Sequence, residues 1–466
     1  MTERVAQTGP GAPRVQPARR IAFEVLRAVR EDDAYANLLL PSLIAEARLS
    51  PIDAALATEL TYGTLRRSGY YDRVLGLIID RDLSKVDAVV LDSLRLGAHQ
   101  LLSMRTAAHA AVGESVELVA SAGKGSAKGF ANGVLRTLTR STPEEWRDRA
   151  LAGLSGDARL AAEHAHPSWV IAAFRDALSA DGAAADTIED ELVALLIADN
   201  LAPEVSLVAL PGLATVSEVG DPGEVSPVGA RSSGGDPAHQ PAVASGRSRV
   251  QDEGSQLAAL ALSRARPIRS GEQWLDMCAG PGGKAALLAA EARIAGAELV
   301  ANELVPARAG LVRAALSVFD PPPQVVEGDA TRFGTTHAGR FDRILLDAPC
   351  SGLGALRRRP EARWRKTQAD VRQLAGLQAD LLDAAVAALA PGGVLAYVTC
   401  SPHTAETRDI VDAALLRHRR LRAIDTPAVL DGISTSDLGL APGSAAQLWP
   451  HRHGTDAMFI QLLTVE

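Results

Sequence analysis

Cysteine and aromatic residues are scarce in this chain, and long apolar runs are missing from it. Its three cysteines, Cys278, Cys350 and Cys400, are too few and odd in number to form a disulfide framework. Aromatic residues make up only 4% of the chain, so its cores must be packed with aliphatic side chains. No apolar run approaches the roughly 18 residues of a membrane span. The first 17 residues also lack the apolar segment of a secretory signal. These absences exclude a small disulfide-rich fold and predict a cytoplasmic protein without a membrane span.

An excess of basic residues is missing as well. The net charge of −8 argues against a globally basic nucleic-acid coat, although it does not exclude a local basic groove. Hydrophobic residues make up 47% of the chain, which is enough for real cores and too much for a disordered protein. With 466 residues, we expect two or three domains.

Helical periodicity dominates the first part of the chain. Ile21, Val25 and Val29 recur at the spacing of one apolar helix face. Further helices are predicted over residues 54–67, 71–79, 86–102 and 114–121, with breaks at Ser50-Pro51, Gly69 and residues 123–125. The sequence therefore predicts a flexible tail over residues 1–17 and an all-α domain over residues 18–142.

The predicted helical domain is mildly basic within an acidic chain. Residues 18–140 contain 16 Lys and Arg against 14 Asp and Glu, a difference of +2. The pairs Arg19-Arg20 and Arg66-Arg67 are candidates for phosphate contacts, but each pair is equally typical of a solvated helix surface.

The middle of the chain, residues 143–249, is harder to assign. Residues 143–201 again have a helical pattern, whereas residues 211–248 are rich in Gly, Pro, Ser and Ala and have little periodicity. The second stretch is interpreted either as an irregular connector or as a small, eroded subdomain that contains β-strands.

From Val250 onward, strands and helices alternate. Strands are predicted over residues 272–277, 298–302, 324–326, 343–347 and 394–399, with helices over residues 284–292, 306–318, 367–389 and 405–416. The strands are runs of Val, Ile, Leu and Ala, which is typical of a parallel sheet covered on both faces. We therefore predict a Rossmann-like α/β domain over residues 250–466, with a mostly parallel central sheet. Ligands of such domains bind at the carboxyl ends of the strands.

A glycine-rich loop follows the first of these strands. Residues 275–284 read Leu-Asp-Met-Cys-Ala-Gly-Pro-Gly-Gly-Lys and open a helix, so backbone N–H groups are available to a ligand. Glu303 ends the next strand and is placed to bind ribose hydroxyls. Together they indicate a nucleoside-containing cofactor; the alternative is a tight turn and a surface glutamate. Lys284 is followed by alanine, which disfavours a nucleoside-triphosphate P-loop.

Two further acids follow strands. Asp329 is a candidate acceptor for the adenine amino group, although an aspartate after a strand is more often a turn former. Asp347 ends its strand just before Ala-Pro-Cys350 and is placed to hydrogen-bond a base or the cofactor.

Cys350 and Cys400 both lie at carboxyl ends of predicted strands, so both are expected in the same crevice. They are too far apart in sequence for a CxxC metal or redox motif. Two thiols beside a nucleoside-cofactor site indicate nucleophilic chemistry. Cytosine C5 is a poor nucleophile, but a thiolate that adds to C6 makes C5 reactive towards an electrophilic methyl group. A base must afterwards remove the C5 proton so that the thiolate can leave.

These motifs together resemble the Sun/Nop family of RNA 5-methylcytosine methyltransferases. Within it, the chain is similar to the bacterial small-subunit rRNA cytosine-C5 methyltransferases, and residues 18–140 look like the NusB-type RNA-binding domain of that subfamily. The matching stretches are residues 250–256, 276–284, 347–352, 399–401 and 449–456.

The resemblance implies S-adenosylmethionine as the cofactor and a role for each site residue. Cys400 would be the nucleophile towards C6 and Cys350 the residue that promotes elimination and release. Asp347 would contact the base around N3 and lie near the cofactor, with Lys284 beside it. Glu303 would hold the ribose and Asp329 the adenine. The residues implied to line the cofactor in the first loop are Cys278, Ala279, Gly280, Pro281, Gly282, Gly283 and Lys284.

Some features depart from the family or stay open. The first loop has Ala-Gly-Pro where Ala-Ala-Pro is usual, and residues 205–210 lack the usual Arg-Val-Asn-like strand. Six basic residues in 357–366 favour RNA-phosphate contact over a solvated loop. His451 and His453 are interpreted as structural or RNA-contacting rather than metal-binding. We expect a monomer without a metal that acts on rRNA. The alternatives are a tRNA methyltransferase and a non-catalytic RNA-binding assembly factor.

Overall fold

The computed structural model describes residues 15–466. The chain forms two compact units. The first runs to Ser168 and also includes Arg358–Glu361, and the second consists of Trp169–Arg357 and Ala362–Glu466. Most of the predicted tail, residues 1–14, lies outside the described residues, and the first helix begins at Pro17.

The first unit is built from helices, as the sequence predicts. They are α1 (Pro17–Glu31), α2 (Ala36–Ala47), α3 (Pro51–Gly76), α4 (Ala88–Leu102), α5 (Ala108–Ser121), α6 (Lys128–Leu138), α7 (Pro143–Leu151) and α8 (Gly156–His164), with short 3₁₀ helices at Leu83–Lys85 and Gly125–Ala127. The predicted break at Gly69 is wrong, because α3 runs through it without interruption. A glycine costs a helix only about 1 kcal/mol. The buried Tyr70 and Tyr71 that follow it offset this cost by packing.

Half of each arginine pair in this unit packs inside the protein. Arg19 is buried, and its Nε donates to Gln100 Oε1 at 2.8 Å. Arg66 is also buried and lies against the ring of Tyr62. Arg20, in contrast, is exposed. The interpretation of both pairs as surface groups is therefore wrong for Arg19 and Arg66.

The second unit begins with two helices and a small antiparallel sheet. The helices are α9 (Ser168–Ala180) and α10 (Ile188–Ala198), and the sheet consists of β1 (Ser206–Ala209), β2 (Asp221–Pro222), β3 (Gly229–Arg231) and β4 (Ser248–Val250) in the order β2-β3-β1-β4. Short helices α11 (Val216–Val219) and α12 (Pro241–Ala244) and a 3₁₀ helix at Pro237–His239 connect these strands. Residues 211–248 therefore belong to a small β-containing subdomain and not to an irregular connector.

A large sheet forms the centre of the second unit. Its strands are β5 (Gln273–Asp276), β6 (Glu298–Glu303), β7 (Gln324–Glu327), β8 (Phe341–Asp347), β9 (Leu389–Thr399), β10 (Leu421–Ala423), β11 (Ala445–Gln447) and β12 (Phe459–Val465). The helices and 3₁₀ helices are α13 (Glu253–Arg264), α14 (Gly283–Ala295), α15 (Pro306–Leu316), Ala330–Arg332, α16 (Phe333–Thr336), Leu353–Ala355, α17 (Ala362–Arg365), α18 (Gln368–Ala388), Thr404–Glu406, α19 (Arg408–Arg417), α20 (Thr426–Asp431) and α21 (Pro450–His453).

The order of this sheet is β10-β12-β9-β8-β5-β6-β7, with β11 paired to β12. Strands β5 to β9 pair in parallel, while β12 pairs antiparallel with β9, β10 and β11. The predicted Rossmann-like domain with a mostly parallel sheet is confirmed. The three antiparallel strands at its carboxyl-terminal side were not predicted.

A buried ion pair fixes the amino ends of the parallel strands. Arg343 Nε donates to Glu272 Oε2 at 2.8 Å, and Trp274 Nε1 donates to the same oxygen at 2.9 Å. Arg343 also donates to four backbone carbonyls, those of residues 262, 263, 266 and 267. A buried ion pair is tolerated only when such additional hydrogen bonds satisfy it. Charges at this edge therefore hold the fold, and the opposite edge carries the loops of interest.

Two arginines of the basic segment 357–366 are buried inside the second unit. Arg357 donates to the carbonyl of Gly454 at 2.9 Å and lies 3.4 Å from Asp456 Oδ1. Arg363 is 0% exposed, and it donates to Asn200 Oδ1 at 2.9 Å. The expectation that this segment contacts RNA phosphates is therefore wrong for Arg357 and Arg363, which serve packing. Within residues 15–466, no helix has the length and apolar character to cross a membrane.

Candidate active site

The glycine-rich loop joins β5 to α14 at the carboxyl edge of the sheet. Gly282 has φ +109°, and a Cβ there would lie 2.5 Å from the Cβ of Ala315. A Cβ on Gly280 would lie 2.3 Å from Glu303 Oε2. Neither position has room for a side chain, so the loop backbone lies directly against α15 and against the end of β6.

Glu303 is buried beside this loop. Its Oε2 accepts from the N–H of Gly280 at 3.0 Å, and its Oε1 accepts from the N–H of Val305, also at 3.0 Å. Arg308 lies 3.3 Å from Oε2. Two carboxylate oxygens offer about four acceptor positions, so capacity remains for a further hydroxyl donor.

Asn302 ties two loops together and was missed from the sequence. Its Nδ2 donates to the carbonyls of Met277 at 3.0 Å and Gly328 at 3.1 Å, which lie in the loops after β5 and β7. The backbone carbonyl of Asn302 accepts from the N–H of Ala279 at 2.8 Å. The sequence carries no local signal for this role, because both partners are about 25 residues away in the chain.

Asp329 is exposed and forms a turn. Its Oδ1 accepts from the N–H of Thr331 at 3.0 Å and from the Thr331 hydroxyl at 2.7 Å, so it caps the 3₁₀ helix Ala330–Arg332. This is the turn-forming alternative that the sequence left open. The geometry leaves Oδ2 available at the rim of the site.

Three ionisable side chains meet at the ends of β5 and β8. Lys284 Nζ lies 2.8 Å from Asp347 Oδ2, and Asp276 is 1% exposed nearby. Burial, followed by the negative charge of Asp347, raises the pKa of Asp276 to about 8. Burial alone lowers the pKa of Lys284, but Asp347, Cys400 and Asp276 together raise it above its usual value. No side chain among residues 15–466 donates a hydrogen bond to Asp276.

The two candidate cysteines are brought into contact. Cys350 Sγ lies 3.4 Å from Cys400 Sγ. The hydrogen bond between the thiols, together with burial, raises the pKa of Cys350 well above its usual value. The third cysteine, Cys278, lies in the glycine loop, where burial and the charges of Asp276 and Asp347 raise its pKa too.

Strand β12 supports both cysteine loops. It pairs with β9 from Thr399 to Val394, immediately before Cys400. The carbonyl of Cys400 accepts from the N–H of Gly354 at 2.9 Å, and the carbonyl of Gly354 accepts from the N–H of Ala457 at 2.8 Å. Gly354 has no room for a side chain, because a Cβ there would lie 2.0 Å from the Ala457 carbonyl oxygen. The segment leading into β12 therefore joins the loops after β8 and β9.

Gln251, which belongs to the family-like stretch of residues 250–256, lies against the glycine loop. Its side-chain amide is 3.6 Å from the position that a Cβ on Gly283 would take. Gln251 is 8% exposed, and neither its Nε2 nor its Oε1 has a hydrogen-bond partner among the described residues. Unsatisfied buried polar groups of this kind indicate a missing ligand or water. With Asp276, they fit a ligand that carries both a cationic group and polar groups.

The two histidines near the carboxyl terminus have structural partners. His453 Nδ1 accepts from the N–H of Trp449 at 2.7 Å, and its Nε2 lies 2.9 Å from the Leu438 carbonyl. His451 Nε2 lies 2.7 Å from Glu191 Oε2. No group of three potential metal ligands occurs in the described part of the chain.

A parallel sheet with a glycine loop after one strand and a buried glutamate at the end of the next is the architecture of the Rossmann-like nucleoside-binding enzymes, a class that includes methyltransferases. Comparison with known proteins narrows this class. The 16S rRNA methyltransferase RsmB/F model matches residues 265–464, and the NusB family model matches residues 16–140. The chain belongs to the RsmB/F family of S-adenosylmethionine-dependent 16S rRNA methyltransferases and carries an amino-terminal helical NusB domain.

Individual relatives agree with this assignment. The chain is 46% identical over 462 residues to Rv1407 of Mycobacterium tuberculosis (strain ATCC 25618 / H37Rv), covering 98% of each chain; the name of that protein gives a methyltransferase and no substrate. It is 31% identical to the ribosomal RNA small subunit methyltransferase B of Salmonella typhi, covering 86% of this chain and 90% of the relative. The crystal structure of PH0851 has the same fold, with a TM-score of 0.78, 21% identity and coverage of 96% and 98%.

Proposed function

We propose that this protein methylates C5 of a cytosine in 16S rRNA through a transient bond between Cys400 and C6, which is resolved with Cys350. The observation that carries the proposal is the 3.4 Å contact between the two sulfurs, at the edge of the sheet where Lys284 and Asp347 meet the glycine loop.

The reaction balances with these residues. The Cys400 thiolate forms a bond to C6, and the electrons of the C5–C6 double bond move to C5. S-adenosylmethionine, when bound, would supply the electrophilic methyl group that C5 takes and would leave as S-adenosylhomocysteine. The C5 proton then passes to the sulfur of Cys350, which by this stage has lost its own proton to water, the Cys400–C6 bond breaks, and the double bond is restored.

Contact between the thiols would determine when Cys350 loses its proton during the reaction. While Cys400 is a free thiolate, its hydrogen bond and charge help hold Cys350 protonated, because they raise the pKa of Cys350. Once Cys400 is bonded to C6 it is a neutral thioether, and both influences disappear. Cys350 can then release its own proton to water and act as the base for C5. The first bond formed therefore prepares the group that the second step needs.

Several groups would hold the cofactor. Residues 278–284 would line it, with Glu303 at the ribose, Asp329 Oδ2 at the adenine and Asp347 near the sulfonium. Asp276 and Gln251 join this set, because both are buried with polar atoms that lack a side-chain partner in the described chain. Burial and the charge of Asp347 raise the pKa of Asp276, and a positively charged ligand would favour its ionised form.

The target base would lie over the ion pair. Asp347 would contact it around N3, and the ammonium of the neighbouring Lys284 would stabilise the Cys400 thiolate. The relatives named as rRNA small subunit methyltransferase B support 16S rRNA as the substrate. In this proposal the NusB domain of residues 18–142 binds RNA, residues 143–249 link it to the methyltransferase domain of residues 250–466, and the protein acts in the cytoplasm as a monomer.

Separate variants of the two cysteines test the proposal. Cys400→Ala should abolish both methylation and any covalent RNA complex. Cys350→Ala should still attack and transfer one methyl group, yet fail to release the product, because addition and elimination are separate barriers. A denaturant-resistant protein–RNA adduct should therefore appear as a slow band on a denaturing gel.

The double variant Cys350→Ala/Cys400→Ala is the control and should give no adduct. If the adduct appears with Cys400→Ala and is lost with Cys350→Ala, the two roles are reversed. Methylation that survives in both single variants would rule out the covalent route. Bisulfite sequencing of rRNA and tRNA from a deletion strain would identify the substrate.

A further inference from the structure

A buried glutamate lies between the two cysteine loops and has no part in the reaction proposed above. Glu406 is 0% exposed and ends the 3₁₀ helix Thr404–Glu406, shortly after Cys400. Its backbone carbonyl accepts from the hydroxyl of Tyr397 at 2.7 Å. A fully buried carboxylate is costly unless several donors satisfy it, so its surroundings show what it holds in place.

Each oxygen of Glu406 reaches the residue that follows a cysteine. Oε1 accepts from the backbone N–H of Ser351 at 2.7 Å, next to Cys350. Oε2 accepts from the hydroxyl of Ser401 at 2.7 Å, next to Cys400, and also from the hydroxyl of Ser351. The two hydroxyls are 3.1 Å apart. One carboxylate therefore connects both loops.

Gln378 on α18 completes this arrangement. Its Nε2 donates to the carbonyl of Pro349 at 2.8 Å and lies 3.3 Å from Glu406 Oε1. Pro349 and Ser351, the residues on both sides of Cys350, are thus fastened to the same group. A shift of Glu406 would move the Cys350 sulfur relative to the Cys400 sulfur.

We propose that Glu406 is a positioning residue that joins the loops of Cys350 and Cys400 and makes Cys400, rather than Cys350, the thiol that gives up its proton. This inference rests on the proposed function, because it explains how two touching thiols acquire different roles. The four donors to Glu406 among residues 15–466 are all neutral, so no cation in this part of the chain is hydrogen-bonded to its carboxylate.

Carboxylates act on the Cys350 sulfur, and an ammonium acts on the Cys400 sulfur. Apart from Cys400 itself, Cys350 faces the carboxylates of Glu406 and Asp347 and the neutral phenol of Tyr397. Cys400 instead interacts with the ammonium of Lys284. A thiolate is favoured beside a cation and disfavoured beside an anion. The arrangement therefore selects Cys400 as the nucleophile.

Alkylation of the full-length protein without RNA tests this selection. Iodoacetamide reacts with thiolates, and the rates at Cys350 and Cys400 are read separately by peptide mass spectrometry. In the wild type, Cys400 should react faster. Glu406→Gln keeps the shape and removes the charge, so the ratio of the Cys400 rate to the Cys350 rate should fall about tenfold, as a change of one pKa unit would give. Glu406→Asp retains the charge and should keep most of the ratio.

Turnover provides the second readout. Glu406→Gln should lower kcat about 100-fold while the Kd for S-adenosylmethionine, measured by calorimetry, stays within about twofold, because Glu406 does not contact the glycine loop. Glu406→Asp should recover part of kcat. Glu272→Gln is the matched control: it neutralises another buried glutamate at the opposite edge of the sheet and should leave the alkylation ratio unchanged.

Melting curves establish that each variant is folded. If Glu406→Gln does not fold, Ser401→Ala is tested in its place. This variant removes the hydrogen bond from the Ser401 hydroxyl to Glu406 and leaves the carboxylate of Glu406 intact. Its kcat should fall, and its ratio of alkylation rates should stay that of the wild type. A wild-type kcat in Ser401→Ala would overturn the positioning role. An unchanged ratio in folded Glu406→Gln, with 5-methylcytosine still formed by the wild type, would overturn the inference alone. A shifted ratio without any 5-methylcytosine would support it and overturn the proposed function.

Discussion

Asp276, Asp347 and Lys284 place two carboxylates and one ammonium in a single buried crevice. Lys284 and Asp347 form a 2.8 Å pair, which leaves Asp276 without a cation of its own. Burial and Asp347 raise the pKa of Asp276 to about 8, so without a ligand this residue carries a proton at neutral pH. A bound cation would favour the ionised form of Asp276. The same residue therefore costs stability in the free protein and favours a positively charged ligand.

This cost predicts a pH dependence of stability. The pKa of Asp276 is higher in the folded than in the unfolded chain, so the folded state binds the extra proton between about pH 4 and pH 8. The contribution of Asp276 to stability is therefore fully present below about pH 4 and is lost as pH rises to about 8. Asp276→Asn does not titrate and should gain on the order of 2–4 kcal/mol over the wild type between pH 5 and pH 8.5.

Urea unfolding of the cofactor-free proteins at both pH values measures this gain. Glu298→Gln, an exposed carboxylate at the start of β6, serves as the control and should follow the wild type. Parallel pH profiles for wild type and Asp276→Asn would show that Asp276 does not hold a proton in the folded state. Asp276→Asn should also bind S-adenosylmethionine more weakly, since it lacks the compensating charge.

At the scale of elements, the loop between β5 and α14 requires glycine where its backbone approaches α15 closely. Gly282 has both a left-handed φ of +109° and no space for a Cβ. Gly339, after α16, has φ +61° and nothing within 4 Å of its Cβ position. Comparison of alanine substitutions at the two glycines therefore separates the cost of backbone strain from the cost of a steric clash.

Alanine at these two positions should therefore have different effects. Gly339→Ala should cost about 1 kcal/mol, the strain of a left-handed residue. Gly282→Ala should cost at least about 2 kcal/mol more, because the methyl group also displaces Ala315 and α15. It should weaken cofactor binding, and Gly339→Ala should not. Chemical denaturation and calorimetry on both variants check this; equal costs would mean that α15 yields to the added methyl group freely.

Elements with strong local patterns were predictable, and those that depend on distant contacts were not. The parallel strands β5 to β9 stand out because their residues are apolar on both faces. Strands β1, β10 and β11 have three or four residues, too few for a periodic signal, and form only because neighbouring strands pair with them. Gly69 predicted a helix break from composition alone, yet the buried tyrosines after it keep α3 intact.

For the whole molecule, the helical NusB domain and the methyltransferase domain should contribute different parts of RNA affinity. The helical region has a charge of only +2 over residues 18–140, and Arg19 and Arg66 are buried in it. We therefore expect a small number of phosphate contacts from it. Each contact steepens the dependence of log K on log salt concentration by about 0.7–0.9.

Deletion of residues 1–168 tests this division. RNA binding should weaken, and its salt dependence should become shallower by a few contacts, as filter binding at several salt concentrations would measure. Unchanged affinity for S-adenosylmethionine in calorimetry would verify that the remaining unit is folded. If the salt slope is the same with and without the helical domain, that domain serves something other than contact with the RNA backbone.

As with the fold, some residues of the candidate site could be predicted from the sequence and others could not. That Cys350 and Cys400 meet follows from topology, because both end neighbouring parallel strands. Glu406, Asn302 and Gln251 could not be assigned from the sequence, since a buried glutamate, asparagine or glutamine gains its role only from partners elsewhere in the chain. The prediction that segment 357–366 contacts RNA phosphates failed for a related reason, because Arg357 and Arg363 have carboxylate or amide partners far away in sequence.

The position of β12 also has a consequence for biosynthesis. A ribosome makes both cysteine loops before it makes Phe459–Val465, yet β12 lies between β9 and β10 in the finished sheet. Until translation has passed this strand, β9 has an unpaired edge, and the contact of Ala457 with Gly354 is absent. The nascent chain therefore carries its two thiols in an unsupported arrangement. Under the proposed function, the site would become competent only after β12 has been synthesised and has paired with β9.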